Sequence, residues 1–135
     1  LSDMPGEVEF RQYFPDQTGE TPYLPEVSTI VAPRMLDRPH ETVRVPVVTL
    51  DDDALPLLGR PPIVCKIDVE GFEALVLRGA MRLLSNPAVH LSIDIHYDPF
   101  RDGQHLTEPD VRAILSPLGY SFETMSHVLL CSPPR

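Results

Sequence analysis

The residues best suited to chemistry in this chain are carboxylates and one imidazole, which lie in two short segments. The first segment, Lys66–Glu73 (KIDVEGFE), continues an apolar run, and the second, Ser92–His96 (SIDIH), ends another. Carboxylates and imidazoles can accept a proton from a substrate hydroxyl, and carboxylate oxygens can instead hold a hard cation. The sequence therefore predicts one site that contains the following residues: Asp68, Glu70, Glu73, Asp94 and His96.

Two apolar strands are expected to position these side chains. Residues 63–69 are apolar apart from Lys66 and Asp68, which is typical of a parallel strand buried on both faces of a sheet. Residues 89–96 form a second strand whose polar character also increases toward its end. Parallel neighbours would bring both carboxyl ends to one sheet edge, where ligands bind in open α/β sheets.

Helical spacing of apolar residues follows each of these strands. Residues 71–84 predict an amphipathic helix of about four turns. A capping box at Thr107–Asp110 predicts the start of a second helix, which Gly119 ends. Residues 120–125 and 128–131 are expected to form an antiparallel hairpin, because only two residues join them.

The first part of the chain is less regular. Residues 7–14 alternate as a half-buried strand, and residues 43–50 form another, with Pro46 indicating an edge position. Between them, residues 15–42 predict a long proline-rich loop. From residue 43 the order β-β-α-β-α-β-β predicts one α/β domain over residues 1–135, with a mostly parallel sheet and helices on its faces.

Composition limits the classes of partner. A net charge of −9 would repel phosphate backbones, so nucleic acid is not an expected partner. No apolar stretch reaches the roughly 20 residues that cross a bilayer, and no signal peptide is visible, so we expect a cytoplasmic protein that does not bind membranes. Cys65 and Cys131 are expected to be buried free thiols, and no cysteine spacing indicates a metal site.

Structural roles also explain the acidic residues. Glu70 and Glu73 would occupy the first turn of a helix, where the helix dipole favours negative charge, and Lys66 would be a counter-ion. Asp68 is harder to explain in this way, because a charge at a buried strand end is costly unless something binds it. The strand position of His96 directs it toward the same edge.

Three stretches of the sequence have a recognisable combination of motifs: Val48–Asp52 (VTLDD), Ile63–Glu73 (IVCKIDVEGFE) and Val76–Ala80 (VLRGA). Together they resemble the FkbM family of S-adenosylmethionine-dependent methyltransferases. The opening Leu1–Val8 (LSDMPGEV) and the pair Gly119 and Tyr120 are also similar to family segments. The resemblance covers nearly the whole chain.

The resemblance implies a class I, Rossmann-like methyltransferase sheet with an antiparallel last hairpin. It also implies S-adenosylmethionine as cofactor and O-methylation of a small sugar-like or secondary-metabolite acceptor. We assign catalytic roles to Asp68, His96 and Lys66, with His96 or Asp68 as general base, and cofactor contacts to Asp3, Asp68 and Glu70. The predicted acceptor contacts are Glu70, Glu73 and Asp94, and the loop over residues 15–42 is expected to shape the acceptor pocket.

One departure from the family pattern qualifies this interpretation. The glycine-rich loop that approaches the cofactor and the acidic residue that holds its ribose would lie upstream of Leu1. We therefore expect the chain to be the carboxyl-terminal portion of a methyltransferase domain, with Asp3 near the adenine edge.

Two other functions fit the same residues. The carboxylates could serve a magnesium-dependent phosphoester or glycosyl hydrolase. Alternatively, the chain could be a non-catalytic interaction module, because an exposed sheet edge favours pairing with a second copy of the chain.

Overall fold

A computed structural model describes residues 1–13, 40–96 and 106–135. These residues form two compact units, Gly6–Val47 and a larger unit made of Leu1–Pro5 with Val48–Arg135. Each unit is described by itself below. The prediction of a single domain stays a prediction.

The smaller unit contains a two-stranded antiparallel sheet. Strand β1, Gly6–Tyr13, pairs with strand β2, His40–Val47, in a register that runs from Gly6 opposite Val47 to Tyr13 opposite His40. The predicted strand at 7–14 is confirmed as far as residue 13. The second strand begins earlier and ends earlier than predicted, so residues 40–42 of the predicted loop belong to β2. The rest of that loop, residues 15–39, lies outside the described residues.

A four-stranded mixed sheet forms the centre of the larger unit. Its strands are β3 (Ile63–Ile67), β4 (Val89–Asp94), β5 (Ser121–Met125) and β6 (Val128–Ser132), in the order β3-β4-β6-β5. The α/β class is thus confirmed. Strands β3 and β4 are parallel, whereas β4 with β6 and β5 with β6 are antiparallel. Strands β3, β4 and β5 therefore run in the same direction and only β6 is reversed, which agrees with the predicted mostly parallel sheet with an antiparallel last hairpin. The assignment to a Rossmann-like class I sheet stays a prediction.

The helices are shorter than the periodicity predicts. They are α1 (Leu50–Ala54), α2 (Glu73–Arg78), α3 (Met81–Leu84) and α4 (Glu108–Leu115), with 3₁₀ turns at Leu55–Leu57 and Ser116–Leu118. The predicted four-turn helix over residues 71–84 is therefore divided into α2 and α3.

Contacts from distant residues divide that helix at Gly79. A side chain at Gly79 would collide with the backbone carbonyl of Ser2, so only glycine allows this close approach. The Gly79 carbonyl accepts the N–H of Asp51 at 2.9 Å. The Asp51 carboxylate in turn accepts the N–H groups of Arg82 and Leu83, at 2.9 and 2.8 Å, and so satisfies the start of α3.

The predicted capping box at α4 is wrong in its detail. Thr107 precedes the helix as expected, but its backbone is already helical and its side chain makes no capping hydrogen bond. Its hydroxyl is buried and has no hydrogen-bond partner among the described residues. The Thr107 N–H instead donates to the backbone carbonyl of His96 at 2.9 Å, which ties the start of α4 to the end of the β4 segment.

An aliphatic core holds the helices against the sheet. Its fully buried members include Val76, Leu77, Ile93, Leu115 and Leu129. None of the helices formed by the described residues has the length and apolar character needed to cross a membrane.

Strand β3 departs from its predicted burial on both faces. Val64 is 72% exposed, and of the five residues in the strand only Ile67 is buried. The physical reason is that β3 is the end strand of the described sheet, paired with β4 alone. The predicted pairing of this edge with a second copy stays a prediction.

Both cysteines are free thiols, as expected. Cys131 is buried, and this burial raises its pKa to about 12, whereas Cys65 is only partly buried.

Candidate active site

The turn between β3 and α2 places three of the predicted acidic residues. Asp68 directly follows β3, and the backbone then adopts left-handed φ values of 52° at Glu70 and 100° at Gly71. Few residues other than glycine adopt this backbone conformation. The turn leaves the Asp68 and Glu70 side chains 40% and 48% exposed, whereas Glu73, in the first turn of α2, is fully buried.

The register of β3 and β4 brings the carboxyl ends together, as the sequence predicts. Lys66 lies opposite Ser92 and Ile67 opposite Ile93, so the next residues of each strand are neighbours. The Lys66 ammonium lies 2.6 Å from Asp68 Oδ2 and 3.2 Å from Asp94 Oδ2. Lys66 therefore bridges the two strand ends as a counter-ion, which agrees with the structural role considered for it.

His96 lies at the centre of the acidic cluster. Its Nδ1 is 2.8 Å from Glu73 Oε1, which also accepts the N–H of Gly71 at 3.0 Å. Its Nε2 is 3.7 Å from Asp68 Oδ1 and 3.8 Å from Glu70 Oε2. One ring nitrogen is thus held by a buried carboxylate, while the other faces two exposed carboxylates at a longer distance.

The charges around His96 stabilise its protonated form. Partial burial of the ring lowers the pKa of His96, but the hydrogen bond to Glu73 and the charges of Glu70, Glu73 and Asp68 outweigh this effect, so the pKa is raised overall.

The ion pair between Lys66 and Asp68 shifts the pKa values of its two members in opposite directions. The hydrogen bond from Lys66 is the main cause that lowers the pKa of Asp68, and the same bond raises the pKa of Lys66. Asp68 is therefore a weaker base than His96.

Three of these side chains are close enough to share a cation. One ligand atom each from Asp68, Glu70 and His96 lies within 4.8 Å of the others. Lys66 already supplies positive charge at Asp68, and exposed acidic groups commonly cluster without an ion. We assign no metal to these residues.

Asp3 is the one predicted site residue that does not join this network of contacts. Its backbone packs against Gly79 at the carboxyl end of α2, and its side chain accepts a hydrogen bond from the Ser2 hydroxyl at 2.9 Å. Its predicted contact with the adenine edge stays a prediction.

Two contacts of His96 were not predicted from the sequence. These are the bond between its ring and Glu73 and the bond that its carbonyl accepts from the Thr107 N–H. Sequence reasoning treated Glu73 as an acceptor contact, although Glu73 lies three, four and seven residues before Val76, Leu77 and Ala80, which share one helix face. That spacing could have indicated the burial of Glu73. The bond from Thr107 to His96 carries no local signal, because it depends on how α4 packs.

Comparison with known proteins identifies the family of the chain. The model of one methyltransferase family matches residues 4–122 of the chain. The family is described as the methyltransferase FkbM domain, and because the match covers most of the chain, the chain belongs to this family. No curated protein and no solved structure matches it.

Proposed function

We propose that the protein is an S-adenosylmethionine-dependent O-methyltransferase that acts on a hydroxyl of a neutral, sugar-like acceptor. The observation that carries this proposal is the position of His96, at the carboxyl edge of β3 and β4 with Nδ1 held 2.8 Å from a buried carboxylate. A hydroxyl becomes a good nucleophile only when a base takes its proton, and His96 Nε2 is suited to this role.

The general base is proposed to be His96 rather than Asp68. The two residues were equal candidates from sequence. Because Lys66 lowers the pKa of Asp68, that carboxylate has less affinity for a proton, whereas the pKa of His96 is raised toward the range in which a base is effective.

The carboxylates at this edge of the sheet suit a neutral acceptor. Asp68, Glu70 and Asp94 can accept hydrogen bonds from neighbouring hydroxyls, which are the donors that a sugar offers. The same negative charge would repel a carboxylate or phosphate on the acceptor.

The charge of the site also fits the proposed methyl donor. S-adenosylmethionine supplies an electrophilic methyl group on a cationic sulfonium. Asp68 and Glu70 would hold that cation by charge, while Asp3 is the residue proposed to contact its adenine. His96 would take the proton of the acceptor hydroxyl, and Lys66 would keep the Asp68 and Asp94 carboxylates in place.

A cytoplasmic location belongs to the same proposal. Cys65 and Cys131 are both free thiols, which is the state expected in a reducing compartment.

Calorimetric titration of the natural full-length protein with S-adenosylmethionine tests the proposal. We expect binding of one equivalent, followed by transfer of a labelled methyl group to simple methyl glycosides. Asp68→Asn should weaken binding about tenfold or more, as expected when a contact to a charged group is lost. The matched control is Asp53→Asn, which neutralises an exposed carboxylate in α1 and should leave binding unchanged.

Two results would contradict the proposal. A wild-type protein that binds no S-adenosylmethionine is not a methyltransferase of this kind. A protein that binds it and methylates only nitrogen or carbon acceptors would exclude O-methylation.

A further inference from the structure

We propose that Glu73 is a positioning residue, which holds His96 with a proton on Nδ1 and presents Nε2 as the base for the acceptor hydroxyl. This inference rests on the proposed function and replaces the expectation that Glu73 contacts the substrate. It also explains why a charged side chain is buried in an aliphatic core that does not require one.

The hydrogen bonds of Glu73 determine which ring nitrogen of His96 carries the proton. With Glu73 ionised, as the proposal requires, its carboxylate can only accept hydrogen bonds, so Nδ1 is the donor in the 2.8 Å contact with Oε1. When the ring is neutral, the lone pair is then on Nε2. The Gly71 N–H donates to the same oxygen at 3.0 Å and holds the carboxylate in place from the turn.

The burial of Glu73 separates it from the other carboxylates near His96. Asp68 and Glu70 come from the turn after β3, are largely exposed, and lie 3.7 and 3.8 Å from Nε2, beyond hydrogen-bond distance. Asp94, on the same strand segment as His96, pairs with Lys66. Glu73, from α2, is completely buried and binds the opposite nitrogen.

A buried carboxylate requires a compensating charge, and His96 can supply it. Burying an ion without a partner is costly, and Oε2 of Glu73 has no hydrogen-bond partner within the described part of the chain. An imidazolium at His96 would pair with this charge. Glu73 therefore stabilises the ring in the state that it reaches after it takes a proton.

The proton transfer is balanced within these groups. The O–H bond of the acceptor breaks, its electron pair stays on oxygen as the nucleophile, and an N–H bond forms at His96 Nε2. The positive charge then lies on the ring beside Glu73. After methyl transfer, Nε2 releases its proton to solvent, which the 26% exposure of the His96 side chain allows.

Nuclear magnetic resonance of the natural protein with ¹⁵N-labelled histidine tests the inference without any substrate. In the wild type, the neutral His96 ring should carry its proton on Nδ1. Glu73→Gln keeps an acceptor oxygen but removes the charge, so the tautomer should persist while the pKa of His96 falls. The control Glu70→Gln removes an exposed charge from the same turn and should lower the pKa of His96 less.

A second variant separates positioning from charge. Glu73→Met fills the buried space with an apolar side chain of similar length and offers no acceptor, so the Nδ1 tautomer should be lost. Should Glu73→Met fail to fold, Glu73→Gln still decides the question. In methyl transfer, Glu73→Gln should lower kcat about 10- to 100-fold and change KM less than about threefold, because the base and not the acceptor contacts is altered.

The results that overturn the inference are distinct from those that overturn the proposed function. A wild-type ring protonated on Nε2, or equal pKa changes in Glu73→Gln and Glu70→Gln, would exclude the positioning role even where methyl transfer is intact. Absence of S-adenosylmethionine binding would instead remove the proposed function and leave the measured tautomer as it is.

Discussion

The two ends of β4 each hold a buried polar side chain, and they use it differently. At the amino end, the Tyr120 hydroxyl lies 3.1 Å from the carbonyl of Val89 and 3.3 Å from that of Leu84. Beyond the carboxyl end, Glu73 binds the His96 ring through one oxygen, and its second oxygen has no partner among the described residues.

This difference separates a structural polar group from the one that we propose to assist catalysis. The Tyr120 hydroxyl can donate its single proton to either of these backbone carbonyls, and burial raises the pKa of Tyr120, so it stays protonated and remains a donor. Glu73 is paired with a ring that can gain or lose a proton near neutral pH. In the proposed mechanism, burial therefore serves stability at one end of β4 and proton transfer at the other.

The largest expected effect comes from truncating a side chain of the aliphatic core. Leu77 is completely buried on α2, one turn after Glu73. Leu77→Ala should reduce the free energy of unfolding by about 2–5 kcal/mol, because it removes apolar contacts and leaves a cavity. Urea denaturation measures this loss, and a reduction below about 1 kcal/mol would show that α2 is not held by this core.

At the amino end of β4, loss of the Tyr120 hydroxyl should reduce the stability of the protein. Tyr120→Phe leaves the carbonyls of Leu84 and Val89 without their donor, which should cost about 1–3 kcal/mol of unfolding free energy. The titration of His96 should not change. A shift in that titration would mean that the two ends of β4 are coupled and that the comparison is wrong.

Removing the acceptor at the start of α3 should have a smaller effect. Asp51→Ala deprives the N–H groups of Arg82 and Leu83 of their acceptor and should cost about 0.5–2 kcal/mol, as the loss of a helix cap does. Asp53→Ala, in the same helix but exposed, serves as control in the same denaturation experiment. Equal losses in the two variants would contradict the role of Asp51.

The smallest expected effect is the contribution of His96 to the pH dependence of stability. The pKa of His96 is raised in the folded protein from the value of 6.5, so protonation stabilises the folded state. This contribution is fully present below pH 6.5 and is lost as the pH rises through the folded-state pKa. Denaturation midpoints across this range should therefore fall with pH in the wild type and change less in Glu73→Gln. A wild-type midpoint that rises with pH through this window would contradict the assigned sign.

Sequence patterns predicted the strands of the site well because their signals are local. The apolar runs at 63–69 and 89–96 indicate β3 and β4, and their parallel pairing brings Asp68, Asp94 and His96 together as expected. The short connection at Ser126 and His127 likewise predicted the hairpin.

The failures depend on contacts between distant parts of the chain. The break at Gly79 depends on the backbone of Ser2, and the missing cap at Thr107 depends on its bond to His96. The exposure of Val64 follows from the place of β3 at the end of the described sheet, which the composition of one strand cannot show.

Single-turnover methyl transfer by the full-length protein tests most directly whether His96 takes the proton of the acceptor. His96→Asn, assayed with saturating S-adenosylmethionine across neutral pH, should slow transfer about 10²- to 10⁴-fold and abolish the rise in rate with pH as His96 loses its proton. A variant that keeps the wild-type rate within about threefold and the same pH profile would exclude His96 as the general base.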